Sequence, residues 1–268
     1  MRLLWRGEKT VLRLLKDNRA SLNLNVLGMN AEQLSVFIPA ISNPYGLVLI
    51  TGPTGSGKTS TLYAALTHIN STHKNIVSIE DPVEVQIPGV NQININNKAN
   101  LSFSSLLRSI LRQDPDVIMI GEIRDEETAQ IAIQAANTGH LVLATLHTNN
   151  CLETINRLKQ MNIDQNEFIS CLNLIVSQRL LRKKCPHCKH DKTSLECECT
   201  EGYFGRLGVF EMLSFDETLK DYIIKNPFCN MTDLVQNHAF TPLNQFALDY
   251  VQKNITTYEE VRRVLNTC

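Results

Sequence analysis

The sequence predicts an α/β fold built on a mostly parallel, doubly wound sheet. Four short apolar runs recur along the chain, and helical patterns lie between them. Each run is apolar throughout instead of alternating with polar residues, which is typical of strands covered on both faces. The runs occupy residues 47–50, 76–79, 117–120 and 141–145. In a sheet of this kind, ligands bind at the carboxyl ends of the strands.

Helical periodicity between the runs supports the same fold. Apolar residues repeat at helical spacing at Leu106, Leu107, Ile110 and Leu111, and again at Ile131, Ile133 and Ala135. The second of these helices is expected over residues 125–137, with Asp125 as its N-cap and Gly139 at its end.

A glycine-rich segment follows the first apolar run directly. Residues 52–60 fit the phosphate-binding pattern G-x-x-x-x-G-K-[ST], and a helix is expected to follow them. Glycines let backbone N–H groups turn towards an anion, and the helix N-terminus adds partial positive charge. Lys58 can reach the β- and γ-phosphates of a nucleotide, and the Thr59 hydroxyl can ligate Mg²⁺. The alternative is a glycine-rich turn with an incidental lysine. The predicted nucleotide-binding residues are Gly52, Thr54, Gly55, Ser56, Gly57, Lys58, Thr59 and Ser60.

Acidic residues follow the second and third runs. Glu80, Asp81 and Glu84 come after the second run, where carboxylates can orient a water molecule or hold Mg²⁺. An exposed acidic turn is the alternative, because this segment contains an Asp-Pro pair. The third run continues into Gly-Glu-Ile-Arg-Asp at 121–125. Glu122 therefore follows an apolar strand downstream of the phosphate loop, which is the Walker B arrangement.

Two histidines bracket the fourth run. His140 precedes it and His147 follows it. A lone histidine is more often a core or surface residue than a catalyst. Because this strand should end near the γ-phosphate, both the structural and the catalytic interpretations stay open.

Four cysteines cluster in the second half of the chain. Cys185 and Cys188 form a C-x-x-C pair, and Cys197 and Cys199 form a C-x-C pair after an eight-residue gap. Two such pairs can make a tetrahedral S₄ zinc site. The C-x-C pair has only one residue between its cysteines, a closer spacing that is less typical of zinc sites. Reduced thiols in a degenerate loop are therefore the alternative.

The bulk composition is that of an ordinary globular protein. The chain has 268 residues, enough for one large domain or two smaller ones, and 43% of them are hydrophobic. A net charge of −1 and an isoelectric point near 6.7 argue against bulk attraction to nucleic acid or an anionic membrane. No apolar run approaches the roughly 18 residues of a membrane span, and the charged residues within 1–16 are not typical of a signal peptide. We therefore expect a cytosolic protein with few disulfides.

Taken together, the motifs closely resemble one family, the hexameric ATPases of type II secretion and type IV pilus assembly. Its signatures stand here in order: a Walker A loop at 52–59, an aspartate box at 79–84, a Walker B region at 114–125 and a histidine box at 138–148. Segments 7–15, 111–116 and 256–261 are also similar to the family's sequences. The resemblance thus covers nearly all of the chain.

The resemblance implies a fold, an activity and roles for single residues. The fold is a RecA-like P-loop NTPase core with a mostly parallel sheet, a cysteine loop and a small helical C-terminal region. The activity is hydrolysis of ATP with Mg²⁺. Glu84 would activate or position the attacking water, Glu122 would lie near Mg²⁺ and the γ-phosphate, and His147 would sense the γ-phosphate. Arg13 falls where the family carries an arginine that can reach a neighbouring subunit's nucleotide. The family's zinc-type loop corresponds to Cys185, Cys188, Cys197 and Cys199.

Partners and domain organisation are also implied by the resemblance. The expected partners are five further copies in a homo-hexamer and the inner-membrane platform proteins of a secretion or pilus machine, with no direct contact to nucleic acid. The location is cytoplasmic, with peripheral attachment to the inner membrane through those partners. Four parts are expected: 1–28, the remnant of a preceding domain and a linker; 29–181, the ATPase core; 182–212, the cysteine-rich loop; and 213–268, a helical subdomain.

The family usually carries one or two further N-terminal domains, so we expect this chain alone to bind ATP, hydrolyse it weakly and form no stable hexamer. The cysteine loop favours an assembly or export motor, because retraction ATPases generally lack it. Two other functions stay open. One is a DNA-translocating ATPase, against which the near-neutral charge counts. The other is a nucleotide-binding interaction module without turnover.

Overall fold

The structure is a computed structural model that describes residues 2–4, 7–9, 23–99, 101–188, 197, 199–227, 230, 232–234 and 240–265. The predicted Arg13 lies outside the described residues. None of the helices in these ranges is both long enough and apolar enough to span a bilayer.

A seven-stranded sheet forms the centre of the molecule. Its strands are β3 (Gly46–Thr51), β4 (Ile76–Glu80), β5 (Asn91–Asn94), β6 (Val117–Ile120), β7 (Leu141–Leu146), β8 (Leu172–Lys184) and β9 (Tyr203–Ser214), in the order β5-β4-β6-β7-β3-β8-β9. All neighbours pair in parallel except β8 and β9. A separate antiparallel pair is formed by β1 (Arg2–Leu4) and β2 (Gly7–Lys9). The predicted α/β fold with a mostly parallel sheet is confirmed.

Nine α-helices whose bounds lie within the described ranges surround the sheet. They are α1 (Ala31–Ser42), α2 (Lys58–Ile69), α3 (Phe103–Ile110), α4 (Glu126–Asn137), α5 (Cys151–Gln160), α6 (Gln165–Cys171), α7 (Glu217–Lys225), α8 (Leu243–Gln252) and α9 (Tyr258–Leu265). Asp125 caps α4 as predicted, since its side chain accepts the Thr128 N–H at 2.8 Å. The Thr257 hydroxyl likewise accepts the Glu260 N–H in the first turn of α9.

The apolar strands are covered on both faces, as their composition predicts. Along β3, Leu47 and Leu49 pack into one core with α3 to α7, while Val48 and Ile50 pack into a second core with α1 and α2. This alternation explains why polar residues are missing from the strand, because each face contacts helices and neither contacts water. A third, smaller core joins α8 and α9 to the strands β8 and β9.

Strands β8 and β9 form a long hairpin that carries the cysteine segment at its far end. The predicted strands coincide with β3, β4, β6 and β7, whereas β5, β8 and β9 were not foreseen. In β8 the polar residues Ser177, Gln178 and Arg179 interrupt the apolar pattern. All three are buried by contacts with distant parts of the chain, so local sequence alone does not indicate a buried strand there.

Candidate active site

Four loops meet at one edge of the sheet. The strands β4, β6, β7 and β3 are parallel neighbours, so their carboxyl ends lie at the same edge. The phosphate loop follows β3, Asp81 and Glu84 follow β4, Glu122 follows β6 and His147 follows β7. This edge is where parallel α/β sheets bind ligands.

The phosphate loop is packed against Gln178 of β8. A Cβ atom on Gly52 would lie 2.5 Å from the Gln178 carbonyl oxygen, and one on Gly57 would lie 2.8 Å from the Gln178 side-chain nitrogen. Both glycines also have positive φ, 149° and 90°. The loop therefore requires glycine at both positions, and Gly57 leads directly into α2.

Polar groups inside the loop fit a phosphate. The Nζ of Lys58 donates to the carbonyl oxygens of Gly52 at 2.7 Å and Pro53 at 3.2 Å. The buried hydroxyl of Ser56 has no hydrogen-bond partner among the residues that the structure describes. A buried hydroxyl without a partner is costly, and a phosphate oxygen would satisfy it. Thr59 and Ser60 lie half-buried in the first turn of α2, whereas Thr54 and Gly55 are exposed.

The charge of Lys58 depends on its neighbours. Burial lowers the pKa of Lys58 to about 8, the Glu122 carboxylate opposes this shift, and the buried Arg179 guanidinium adds to it. The side chain of Lys58 is only 9% exposed. Lys58 therefore titrates close to physiological pH in the ligand-free protein.

A cluster of charged residues lies beside the loop. Glu122 binds the guanidinium of Arg124 and lies 3.3 Å from the Nε2 of His147. Arg124 is also 3.6 Å from a carboxylate oxygen of Asp81. The structure thus brings the predicted Glu122 and His147 together, and Asp81 of the aspartate box joins them through Arg124. The ring of His147 is about half exposed, which leaves it accessible to a ligand.

Glu84, the predicted water-positioning residue, is attached through its backbone to Tyr63. It lies in the loop after β4, half-buried, and its backbone N–H donates to the Tyr63 hydroxyl at 3.1 Å. Glu80 is buried and accepts from Ser78 at 2.6 Å and from Gln92 at 3.0 Å. Glu80 is therefore a structural residue, which reduces the acidic motif to two candidates for chemistry, Asp81 and Glu84.

The two histidines that bracket β7 are separated by the strand. The Nδ1 of His140 lies 3.0 Å from the Ala135 carbonyl oxygen at the amino end of β7. His147 alone lies at the carboxyl edge with the phosphate loop. The His140 contact supports the structural interpretation of that residue, whereas the catalytic interpretation of His147 stays a prediction.

Several site residues were missed by the sequence analysis. Thr51, which ends β3, has its hydroxyl 2.5 Å from that of Thr148, and Thr148 lies 2.7 Å from the Thr154 hydroxyl. This chain of hydroxyls ties the base of the phosphate loop to the histidine box. Arg179 is buried and donates to the Asn149 carbonyl oxygen at 2.9 Å. No local pattern marks Thr51, Thr154 or Arg179, whereas Thr148 and Arg124 belong to the predicted histidine box and Walker B region.

The four predicted cysteines form one cluster. Their sulfur atoms all lie within 4.8 Å of one another, with Cys185 3.3 Å from Cys197 and Cys188 3.4 Å from Cys199. In a tetrahedral zinc site with Zn–S bonds of ~2.3 Å, the sulfurs would be ~3.8 Å apart. The C-x-C pair therefore approaches the C-x-x-C pair closely enough to complete an S₄ set.

Hydrogen bonding divides the cysteine thiols by acidity. The Cys188 backbone lowers the pKa of Cys185 to about 6, while the shared hydrogen bond with Cys188 raises the pKa of Cys199 to about 12. The Cys185 thiol is thus ready to lose its proton, whereas a metal ion would have to displace the proton of Cys199.

Nucleotide binding should take up a proton above pH 8. Phosphate oxygens beside Lys58 would raise its pKa from about 8, because an opposite charge favours the ammonium form. Affinity for ATP should therefore be constant below pH 7 with respect to Lys58, and should fall by up to about tenfold per pH unit above pH 8. Calorimetric titration at pH 8.5 in two buffers of different ionisation enthalpy measures the proton uptake. In Lys58→Arg, which stays charged, the uptake should disappear; equal uptake in both proteins would assign the proton to another group.

Comparison with known proteins places the chain in a family. The sequence model of the type II/IV secretion system protein family matches residues 1–263. The chain is 46% identical to the protein transport protein HofB homolog of Escherichia coli K12, over 97% of this chain and 60% of that protein. It is 41% identical to the type IV pilus assembly ATPase PilB of Acinetobacter baylyi, over 96% of this chain and 49% of that protein.

A solved structure of the pilus retraction motor PilT with bound ADP superimposes with a TM-score of 0.73 at 32% identity, covering 90% of this chain and 66% of that one. The chain spans about half to two thirds of the length of these relatives. The predicted family resemblance and the P-loop ATPase fold are confirmed: this chain belongs to the type II/IV secretion system protein family.

Proposed function

We propose that this chain is an ATP-hydrolysing motor subunit that powers type II secretion or the assembly of a type IV pilus or pseudopilus. The observation that carries the proposal is the position of Glu122. Its carboxylate binds Arg124 and His147, and it lies close enough to Lys58 to oppose the lowering of the Lys58 pKa by burial. A lysine in the loop after β3, a histidine after the neighbouring strand β7 and a carboxylate after the next strand β6 form a set of groups suited to hydrolysis of a γ-phosphate.

Each proposed role follows from chemistry at a stated atom. The Nζ of Lys58 would leave its two loop carbonyls and donate to phosphate oxygens, and the Ser56 hydroxyl would gain the partner that it lacks. The Thr59 hydroxyl would ligate Mg²⁺, which when bound neutralises charge on the phosphates. Glu122 would supply negative charge at the metal side of the site, and the half-exposed His147, whose Nε2 lies beside Glu122, would donate to the γ-phosphate. Glu84 would accept a hydrogen bond from the attacking water.

Partners are proposed from the relatives. PilB of Acinetobacter baylyi is described as a pilus assembly ATPase, and the Vibrio cholerae relative as a type II secretion system ATPase. We propose that this chain likewise acts in a homo-hexamer on the inner-membrane platform of such a machine. ATP hydrolysis and reduced thiols both favour a cytoplasmic location.

Zinc is proposed as the occupant of the cysteine cluster. Protein prepared without a metal-affinity tag should contain about one zinc per chain, because four thiolates within reach of one another suit that ion. Elemental analysis of the Cys185→Ser/Cys188→Ser double variant should show the zinc lost, while Cys268→Ser, outside the predicted set, should keep it. Substoichiometric zinc that the double variant leaves unchanged would instead favour reduced thiols in a degenerate loop.

ATP turnover tests the proposed function. Phosphate release recorded against protein concentration should require Mg²⁺ and should rise more than linearly if subunits complete one another's sites. ATP binding without turnover at every protein concentration would favour an interaction module.

A salt-dependent titration with DNA tests the alternative of a DNA-translocating ATPase, which predicts an affinity for DNA that falls steeply with salt.

A further inference from the structure

Tyr63 joins the phosphate-loop helix to the aspartate box. Its ring is 3% exposed on α2, and its hydroxyl donates to one carboxylate oxygen of Glu80. The same hydroxyl accepts the backbone N–H of Glu84 at 3.1 Å. A single side-chain oxygen therefore connects the helix that begins at Lys58 to the residue proposed to position water.

The direction of these hydrogen bonds is determined by Glu80. Its other carboxylate oxygen already accepts from the Ser78 hydroxyl and the Gln92 amide. A phenol has one proton, and the Tyr63 hydroxyl donates it to Glu80. The lone pairs of the Tyr63 oxygen are then left for backbone N–H groups, and the amides of both Glu84 and Val85 act on the hydroxyl.

The helix geometry places this contact close to the phosphate loop. Thr59 and Tyr63 are four residues apart on α2, so they lie on the same helix face, separated by ~6 Å along the axis. The loop that carries Glu84 is thereby attached to the helix face that presents the proposed Mg²⁺ ligand. Glu80, at the end of β4, keeps the phenol from rotating away.

We propose that Tyr63 is a positioning residue that fixes Glu84 relative to the phosphate loop. This inference rests on the proposed function, because it assumes that Glu84 acts on the attacking water. A small displacement of such a group, about 1 Å, can lower a rate by about a hundredfold. The Tyr63 hydroxyl is bonded to Glu80 and to the backbone of the aspartate-box loop, and to no phosphate-loop group among the residues that the structure describes, so nucleotide affinity should not depend on that hydroxyl.

The substitution Tyr63→Phe removes only the hydroxyl. We expect kcat for ATP to fall roughly tenfold to a hundredfold, with KM and the affinity for a non-hydrolysable analogue unchanged. In a Glu84→Gln background the same substitution should have no further effect on kcat, because the group that it positions is already disabled. Tyr250→Phe is the matched control: it also deletes a phenol hydrogen bond, to the Gly28 carbonyl oxygen, and should leave kcat unchanged.

Hydrogen exchange gives a readout that does not depend on turnover. In the unsubstituted protein the Glu84 amide should be protected, and in Tyr63→Phe its exchange should accelerate at least tenfold while the amides of α8 keep their rates. A Glu84 amide that exchanges at an unprotected rate in the unsubstituted protein overturns the proposal without any variant. Equal kcat in Tyr63→Phe and the parent protein overturns it as well, and so does a loss of kcat that adds fully to Glu84→Gln. If the exchange result holds but no protein hydrolyses ATP, the contact stands and the proposed function fails.

Discussion

Lys58→Ala should lose nearly all nucleotide affinity and all measurable hydrolysis while remaining folded. The ammonium group donates to two loop carbonyls in the ligand-free protein, and these are replaceable by water once the side chain is removed. Its proposed partners in the complex are phosphate oxygens, and a hydrogen bond to a charged group is worth about 1.5–3 kcal/mol. Affinity should therefore fall by about tenfold to a hundredfold or more, and turnover by a larger factor, because charge on the phosphates increases in the transition state.

A fluorescent ATP analogue measures this affinity, and thermal unfolding measures the fold. Removing a buried charge that titrates near pH 8 should leave the unfolding temperature close to that of the parent protein. Lys253→Ala, at an exposed position just after α8, deletes the same charge away from the site and should bind like the parent. Undiminished analogue binding by Lys58→Ala would contradict the assignment of the phosphate loop.

The parts of the fold that sequence predicted are those with local causes. Strands β3, β4, β6 and β7 are predominantly apolar because helices cover both of their faces, and the phosphate loop is recognisable because glycines are needed at fixed spacing. The same local logic identified Glu122 and His147, each of which directly follows a buried strand. The cysteine pairs were also found by spacing, although only the structure shows all four sulfurs together.

The parts that were missed depend on contacts between distant residues. Gln178 shapes the phosphate loop and accepts a hydrogen bond from Thr61, 117 residues away along the chain. Nothing around Gln178 indicates that it will lie beside the loop, because the pairing of β8 with β3 is set by the whole sheet. Among the three acids at the carboxyl end of β4, only the family resemblance singles out Glu84, and the residue pattern alone does not separate the three. Their different environments separate the structural Glu80 from Asp81 and Glu84.

Glu122→Gln should bind ATP but hydrolyse it at least about a hundredfold more slowly than the parent protein. The substitution keeps the shape of the side chain and removes its charge, which lies beside Arg124 and His147. Loss of one preorganised electrostatic group at a reacting centre typically lowers kcat by about 10²–10³. Glu84→Gln is expected to give the same separation of binding from turnover. Phosphate release and analogue binding, measured on the same preparations, check both variants.

The charge of Glu122 has a second consequence that separates a direct role from a loss of structure. The Glu122 carboxylate partly offsets the effect of burial on Lys58. Removing the charge of Glu122 should therefore lower the pKa of Lys58 from about 8 to a smaller value. Lys58 is protonated below its pKa, so the loss of ATP affinity with rising pH should begin at a lower pH in Glu122→Gln than in the parent.

The free energy of unfolding of Glu122→Gln should differ from that of the parent by no more than about 1 kcal/mol, since Arg124 is largely exposed and keeps Asp81 nearby. Glu127→Gln breaks a comparable exposed pair with Arg108 and is the matched control, for which parent turnover and an unshifted pH profile are expected. Parent-like turnover by both Glu122→Gln and Glu84→Gln would mean that hydrolysis depends on other residues.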